Sequence, residues 1–140
     1  VTDPRETPKD FAALLAVAVD FAARAYAPYS GYAVGAAALV DDGRTVGGCN
    51  VENAAYGVTL CAECGLVSDL VAGGGGRLVR FVCVNGLGAV IMPCGRCRQL
   101  LSEHAAADLV LLTPEGPRTI DEVLPQAFGP RDLDEVAPGD

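Results

Sequence analysis

Three of the chain's six cysteines stand in a spacing that could hold a metal ion. Cys61-Ala62-Glu63 comes first, and Pro93-Cys94-Gly95-Arg96-Cys97 follows further along. Cys94 and Cys97 lie within one helical turn of each other, so both sulfurs can point at the same ion. With Cys61 they offer three thiolates and leave a fourth tetrahedral position open, as a catalytic zinc requires. Each group stands where a helix should begin, and the partial positive charge of a helix N-terminus favours thiolate over thiol. Glu63 supplies a carboxylate beside that open position. Zinc brings the pKa of a bound water toward neutrality, and a neighbouring carboxylate can then carry protons to and from a substrate.

The same residues admit a different chemistry. Cys61-Ala62-Glu63-Cys64 is itself a Cys-x-x-Cys pair, and with Cys94 and Cys97 it could close a four-cysteine structural zinc site. Glu63 would then be a surface residue and the protein a binding module. The 29 residues between the pairs exceed the roughly 15–20 usual for zinc ribbons. The chain also carries far more apolar sequence than a zinc-stapled mini-domain needs. Spacing alone leaves both sites open.

Three helices and five strands must position these groups. Apolar residues Phe11, Leu14, Leu15, Ala18, Phe21, Ala22 and Ala25 recur at three and four, which predicts a helix over Lys9 to Ala25. Ala27-Pro28-Tyr29-Ser30-Gly31 ends it. Ala33 to Val40 and Thr45 to Asn50 read as strands of a hairpin turning at Asp41-Asp42-Gly43. A second helix is expected from Cys61 to Ala72, stopped by Gly73 to Gly76, a run that should be mobile or at least unhelical. Leu78 to Val84 reads as a buried strand, Cys94 to His104 as a helix, Asp108 to Leu112 as a strand, and Arg118 to Ile120 as a short fifth. This order predicts an α/β fold, a three-layer α-β-α sandwich around a central mixed five-stranded sheet. One domain is expected over 1–140, with a polar N-terminal tail at 1–8 and an acidic C-terminal tail at 129–140.

Charge narrows the partners. The net charge of −8, from 10 basic against 18 acidic residues, argues against nucleic acid or an anionic membrane as partner. A small uncharged substrate fits better. A hydrophobic fraction of 51% suggests that some apolar surface is covered between subunits. No targeting or membrane-spanning pattern is read, so the thiols are expected to be reduced and the address cytoplasmic. Cys49 and Cys83 read as small buried hydrophobes, and His104 is given no role. The glycine run lacks the context of a phosphate loop.

Cys-x-Glu followed by Pro-Cys-x-x-Cys is the three-cysteine form of the zinc deaminase motif. Three further segments carry a more specific likeness. Asn50-Val51-Glu52-Asn53-Ala54-Ala55-Tyr56 resembles the ribose-binding segment of the small homotetrameric cytidine deaminases. Ala27-Pro28-Tyr29-Ser30-Gly31-Tyr32-Ala33-Val34-Gly35-Ala36-Ala37 resembles that family's first helix-to-strand junction, and Leu124-Pro125-Gln126-Ala127-Phe128-Gly129 resembles its C-terminal lid. The resemblance runs from Phe11 to Phe128 in the family's order.

That resemblance implies hydrolytic deamination of cytidine and 2′-deoxycytidine in pyrimidine salvage, by a homotetramer with one Zn²⁺ per subunit and sites shared between subunits. It implies that Cys61, Cys94 and Cys97 hold zinc, that zinc-bound hydroxide attacks C4, and that Glu63 shuttles the proton. Ala62 would contact the pyrimidine carbonyl through its backbone, and Tyr32 would stack on the base. Asn50 and Glu52 would bind ribose, where an amide and a carboxylate suit a bidentate grip on hydroxyls. Ala54 and Tyr56 would reach the 5′ side of a neighbouring site, and Phe128 would close over the base of another.

Two positions depart from the family's usual pattern. Tyr32 stands where many relatives have phenylalanine, and Cys64 where many have an arginine that offsets the thiolate charge. Three thiolates on Zn²⁺ leave a net −1, so another cation is expected to compensate, and Arg96 and Arg98 lie nearest in sequence. Deaminases of cytosine-containing nucleoside antibiotics share a similar Pro-Cys-Gly-Arg-Cys-Arg-Gln segment, but the Asn50-x-Glu52 pair favours nucleosides. Polynucleotide editing is disfavoured by the acidic balance and by cysteine at position 61.

Overall fold

A computed structural model describes residues 9–134 of the chain. The tail expected at 1–8 lies outside the described residues, as does 135–140. Helix α1 (Lys9–Ala23) is followed by strands β1 (Val34–Val40) and β2 (Thr45–Cys49), a 3-10 turn at Tyr56–Val58, and helix α2 (Ala62–Ala72). Strands β3 (Leu78–Asn85) and β4 (Val90–Ile91), helix α3 (Gly95–His104), and strands β5 (Ala105–Thr113) and β6 (Gly116–Thr119) come next. Short helices α4 (Ile120–Val123) and α5 (Pro130–Asp134) complete the order.

The period-two alternation of apolar strands is what separates the two faces of the sheet. Ala37, Val82, Val84 and Val110 point toward α1, where Phe11, Leu14, Ala18 and Ala22 are buried. Their neighbours Ala36, Ala38, Phe81, Cys83, Leu109 and Leu111 point the other way, onto Leu66, Val67 and Leu70 of α2, Leu101 of α3 and Ile120 of α4. The result is a layer of α1, the sheet, and a layer of α2, α3 and α4, as the sequence pattern predicts.

The sheet runs β2-β1-β3-β5-β6, antiparallel except for the parallel β3–β5 pair. It has six strands rather than five, because Val90–Ile91 returns from the Asn85 turn and pairs with Val84 and Cys83. Two residues are too few for a periodicity to show. Asn85 builds that turn, its Oδ1 accepting from the backbone of Leu87 at 3.0 Å and Ala89 at 3.1 Å. With β1 along the whole of one edge of β3, β5 takes the first half of the other edge and β4 the second. That division brings the Ile91-Met92-Pro93 segment beside the core.

Several boundaries move. α1 stops at Ala23, where the Arg24 and Ala25 amides turn back to Phe21 and Ala22. Ile120 begins α4 rather than ending a strand, because Thr119 and Glu122 form a reciprocal capping box. Part of the expected C-terminal tail is helical, as α5. The glycine run is unhelical but clasped: Gly74, Gly75 and Gly76 all have positive φ, and the Arg44 guanidinium donates to the carbonyls of Gly73 and Gly75. No helix among the described residues is long and apolar enough to cross a membrane.

Candidate active site

Two helix N-termini bring the thiols together. Cys61 is the N-cap of α2 and Cys94 the N-cap of α3, both with extended backbone and neither spending its side chain on the helix it begins. Cys97 follows one turn into α3 and is fully buried. The three sulfurs lie within 4.8 Å of one another, and Cys61 Sγ is 4.0 Å from Cys94 Sγ. A tetrahedral zinc with sulfurs at 2.3 Å sets them about 3.8 Å apart, so the triangle needs only a small contraction to fit that ion. Cys64 does not join them: among the described residues, Cys61, Cys94 and Cys97 are the group with converging donors. The closed four-cysteine site is therefore not what the fold builds.

The electrostatics of the thiols also suit a cation. Burial, then the nearby Glu63 charge, pushes the Cys97 thiol far above its ordinary range. Burial raises Cys61 as well. Burial works against Cys94 too, but donors from Cys97, its backbone amide first, bring Cys94 below the ordinary thiol range. Three anions packed this closely repel one another, and a divalent cation at their centre reverses that preference.

Glu63 sits in the first turn of α2 and is 3% exposed, a carboxylate that burial penalises unless partners hold it. Its negative charge raises the thiols of Cys97 and of Cys83 on β3, after burial as the first cause for each. Close packing fixes its place, because α2 lies directly on β2. A Cβ on Gly48 would come within 2.4 Å of the Ala62 carbonyl and 2.7 Å of the Leu66 amide.

Glu63 faces a cavity of about 190 Å³, lined also by Val34, Asn50, Thr59, Ala62 and Cys94. A second cavity of about 260 Å³ adjoins it through Thr59 and holds Tyr29, Ser30, Glu52 and Tyr56. Thus the structure gathers Asn50, Ala62 and Glu63 around one space and Glu52 and Tyr56 around the next. Tyr32, Ala54 and Phe128 line neither of these cavities. Tyr32 is 52% exposed and Phe128 58%, the latter on a loop tied to α3 by Gln99 Nε2 on the Phe128 carbonyl at 2.8 Å.

Asn50 and Glu52 are more committed to the chain than their types suggest. Asn50 Oδ1 accepts from the Val34 amide at 2.8 Å, and its Nδ2 donates to the Tyr32 carbonyl at 2.9 Å. Glu52 Oε1 accepts from the amides of Tyr29 at 3.0 Å and Ser30 at 3.1 Å, and Oε2 accepts from the Ser30 hydroxyl. These bonds, led by the Ser30 hydroxyl, hold the Glu52 carboxyl below its ordinary range. Between the two residues, Val51 pairs with Leu60 in both directions at 2.9 Å, which places Cys61 immediately beyond the ladder. Much of the bidentate capacity is thus spent within the chain: Asn50 keeps one donor and one acceptor position, and Glu52 keeps one acceptor position.

The two candidate cations separate. Arg98 is anchored, its Nε on the Pro93 carbonyl at 2.9 Å and its Nη1 on the Val123 carbonyl at 3.1 Å. Arg96 instead reaches across from α3 to α2, its Nη2 3.2 Å from Cys64 Sγ. Cys64, then Cys61 and Cys97, hold its guanidinium in the charged form. Of the two, Arg96 is the one that lies on the thiol side, through Cys64. The sequence reading assigned no role to Thr59, which lines both cavities, or to Ser30, which holds Glu52; only tertiary packing reveals these roles.

Comparison with known proteins agrees with this geometry. Residues 8–113 match the family model for the cytidine and deoxycytidylate deaminase zinc-binding region. The chain is 60% identical to the cytidine deaminase of Mycobacterium tuberculosis H37Rv over 111 residues, 79% of this chain and 84% of that one. It is 39% identical to the cytidine deaminase of Halalkalibacterium halodurans over 109 residues, 74% and 83% of the two chains. The crystal structure of the M. tuberculosis enzyme superposes with a TM-score of 0.83 at 57% identity, covering 86% of this chain and 98% of that chain. The three-thiol site at paired helix ends, the buried carboxylate beside it and these matches lead to one conclusion: the chain belongs to the cytidine deaminase family of zinc-dependent hydrolases.

Proposed function

We propose that the protein hydrolyses the 4-amino group of cytidine and 2′-deoxycytidine, giving uridine or deoxyuridine and ammonia, in pyrimidine salvage in the cytoplasm. The observation that carries this reading is the buried Glu63 carboxylate facing the same cavity as two of three converging thiols. Cys61, Cys94 and Cys97 would hold one zinc per subunit, and zinc when bound supplies a Lewis acid that makes water nucleophilic near neutral pH.

Glu63 takes a proton from the attacking water and delivers it to ring N3 while oxygen bonds to C4. It then takes the proton of the new C4 hydroxyl and passes it to the 4-amino nitrogen; the C4 carbonyl forms, the C–N bond breaks, and ammonia leaves. The backbone of Ala62, at the first turn of α2, meets the pyrimidine carbonyl. Asn50 and Glu52 offer their remaining positions to ribose hydroxyls, and the Glu52 charge repels a nucleotide phosphate. Tyr32 stacks on the base. Ala54, Tyr56 and Phe128 act across subunit boundaries in a homotetramer, which accords with the exposure of Tyr56 (76%) and Phe128 in the single chain.

The test is an absorbance assay of the zinc-loaded protein with cytidine. Turnover that is lost by at least a hundredfold in Glu63→Gln supports the reading, on the scale that general acid–base catalysis contributes, about 10²–10⁴. A zinc-loaded, folded protein that leaves cytidine intact would overturn it.

A further inference from the structure

We infer that Gln99 is a positioning residue: its amide, carried on helix α3, fixes the loop that presents the Phe128 ring. The inference deepens the proposed function and rests on Phe128 closing over the base in another subunit's site. Gln99 stands two residues after Cys97, on the helix that begins at Cys94. Its Nε2 donates to the Phe128 carbonyl at 2.8 Å, so the bond falls on the backbone of the very residue it would position.

Residues 124–129 have few other ties. The Leu124 amide turns back to the Ile120 carbonyl at 2.9 Å, at the end of α4. The Gly129 amide donates to Asp132 Oδ2 at 2.8 Å, and the Asp132 amide returns to the Gly129 carbonyl at 2.9 Å, where α5 opens. Both are local. Among the described residues, the Gln99 bond is the one hydrogen bond that joins 124–129 to a distant part of the chain. Without it the middle of the loop would be held only by its own ends. Gln126, two residues before Phe128, has φ of 55°, a conformation that a residue with a side chain keeps only when surrounding bonds over-determine it.

The ring needs such a hold. Phe128 is 58% exposed and lines neither cavity of its own chain, so packing within the chain does not orient it. A large apolar ring facing water gains by folding back onto its own surface. Fixing the backbone at its carbonyl keeps the ring presented and lowers the ordering cost when it closes on a ligand.

The experiment measures kcat and KM for cytidine, bound zinc, oligomeric size and thermal midpoint in the zinc-loaded full chain. Gln99→Leu and Gln99→Glu keep the reach of the side chain and remove the donor, while Gln99→Lys restores one. Gln99 is half-buried, so none of the three leaves a hole in the core. The leucine and glutamate variants should raise KM about fivefold, the worth of one neutral hydrogen bond, with kcat within about twofold. Zinc content and oligomeric size should be unchanged, and the lysine variant should recover most of the loss. Phe128→Ala should raise KM at least as much. Adding Gln99→Leu to it should raise KM no further, because both changes act through one ring. A merely structural Gln99 would instead add its full effect to that of Phe128→Ala. Wild-type KM in both donor-less variants, equal loss in the lysine variant, or an additive double variant would overturn the inference. If Phe128→Ala itself leaves KM unchanged, the reading of Phe128 as a closing ring fails, and the inference falls with it.

Discussion

The tightest constraint on the site is a contact between two glycines, and it makes an asymmetric prediction. Gly48 on β2 and Gly65 on α2 face each other, but adding a methyl group to each has opposite consequences. On Gly48 the new Cβ would sit 2.4 Å from the Ala62 carbonyl and 2.7 Å from the Leu66 amide, both backbone atoms of α2. Ordinary contact begins at 3.4 Å, so the start of α2 must retreat by about 1 Å. That segment carries Cys61 and Glu63, so the retreat displaces a thiol and the carboxylate together. A 1 Å misplacement of reacting groups costs about 10² in rate, or roughly 2.7 kcal/mol. Overpacking adds a stability loss of about 1–3 kcal/mol. On Gly65 the Cβ would meet only Gly48 Cα at 3.6 Å, an ordinary contact, and alanine is favoured over glycine inside a helix by about 1 kcal/mol. The assay is kcat/KM for cytidine, bound zinc and thermal unfolding of both variants. Gly48→Ala should lose about a hundredfold in kcat/KM, while Gly65→Ala should keep it within about twofold and unfold about 3 °C higher. Wild-type activity in Gly48→Ala, or equal damage in the two, would refute the placement of α2 on β2.

Other measurements reach the remaining parts of the site. Arg96→Ala should lower kcat about threefold and speed zinc loss to a chelator at an unchanged thermal midpoint, the scale of an exposed charge; Arg98→Ala, which frees the Pro93 and Val123 carbonyls, should cost about 2 kcal/mol of stability instead. Cys64→Ala should keep its zinc in a metal assay, because its sulfur stands outside the cluster. Glu52 has a lowered folded pKa, so the stability it contributes is present above the ordinary carboxylate value and is lost as pH falls through the lowered one. A thermal midpoint followed from pH 6 downward should fall more steeply below about pH 4.5 in the wild type than in Glu52→Gln. Zinc held at a hundred times its dissociation constant should add about 2.7 kcal/mol of stability, read as a fall in midpoint on chelation.

The legible features were those that local chemistry fixes. Ser/Thr-free N-caps such as Cys61 and Cys94 stood out because thiols at that spacing have few other uses. The two faces of the sheet followed from alternation in β1, β3 and β5. What stayed hidden depends on which surfaces meet. Thr119-Ile120-Asp121-Glu122 carries a capping-box signature, yet its short β-like neighbours masked it. Val90–Ile91 is a strand only because half an edge of β3 is free to receive it. Cys83 read as a small hydrophobe, which its burial bears out, but its thiol also donates to the Ile91 carbonyl of β4, a pairing that leaves no trace in local sequence.

Asn50 and Glu52 make bonds that their residue types alone do not announce. An amide and a carboxylate near a cavity suggest a grip on hydroxyls, and each keeps some hydrogen-bonding capacity for that. Most of their bonds, however, go to the amides and carbonyls of Tyr29, Ser30, Tyr32 and Val34, which frame the same cavities. On the proposed function, losing either side chain would remove a ligand contact and loosen the wall at once. The two effects separate only when KM and stability are read together. Serine 30 offers the cleaner probe: Ser30→Ala removes the hydroxyl donated to Glu52 while leaving both backbone bonds to the carboxylate. If the carboxylate's chief task is to hold the loop, that variant should unfold at lower temperature with KM unchanged; if the task is to hold ribose, the freed Oε2 should bind it at least as well.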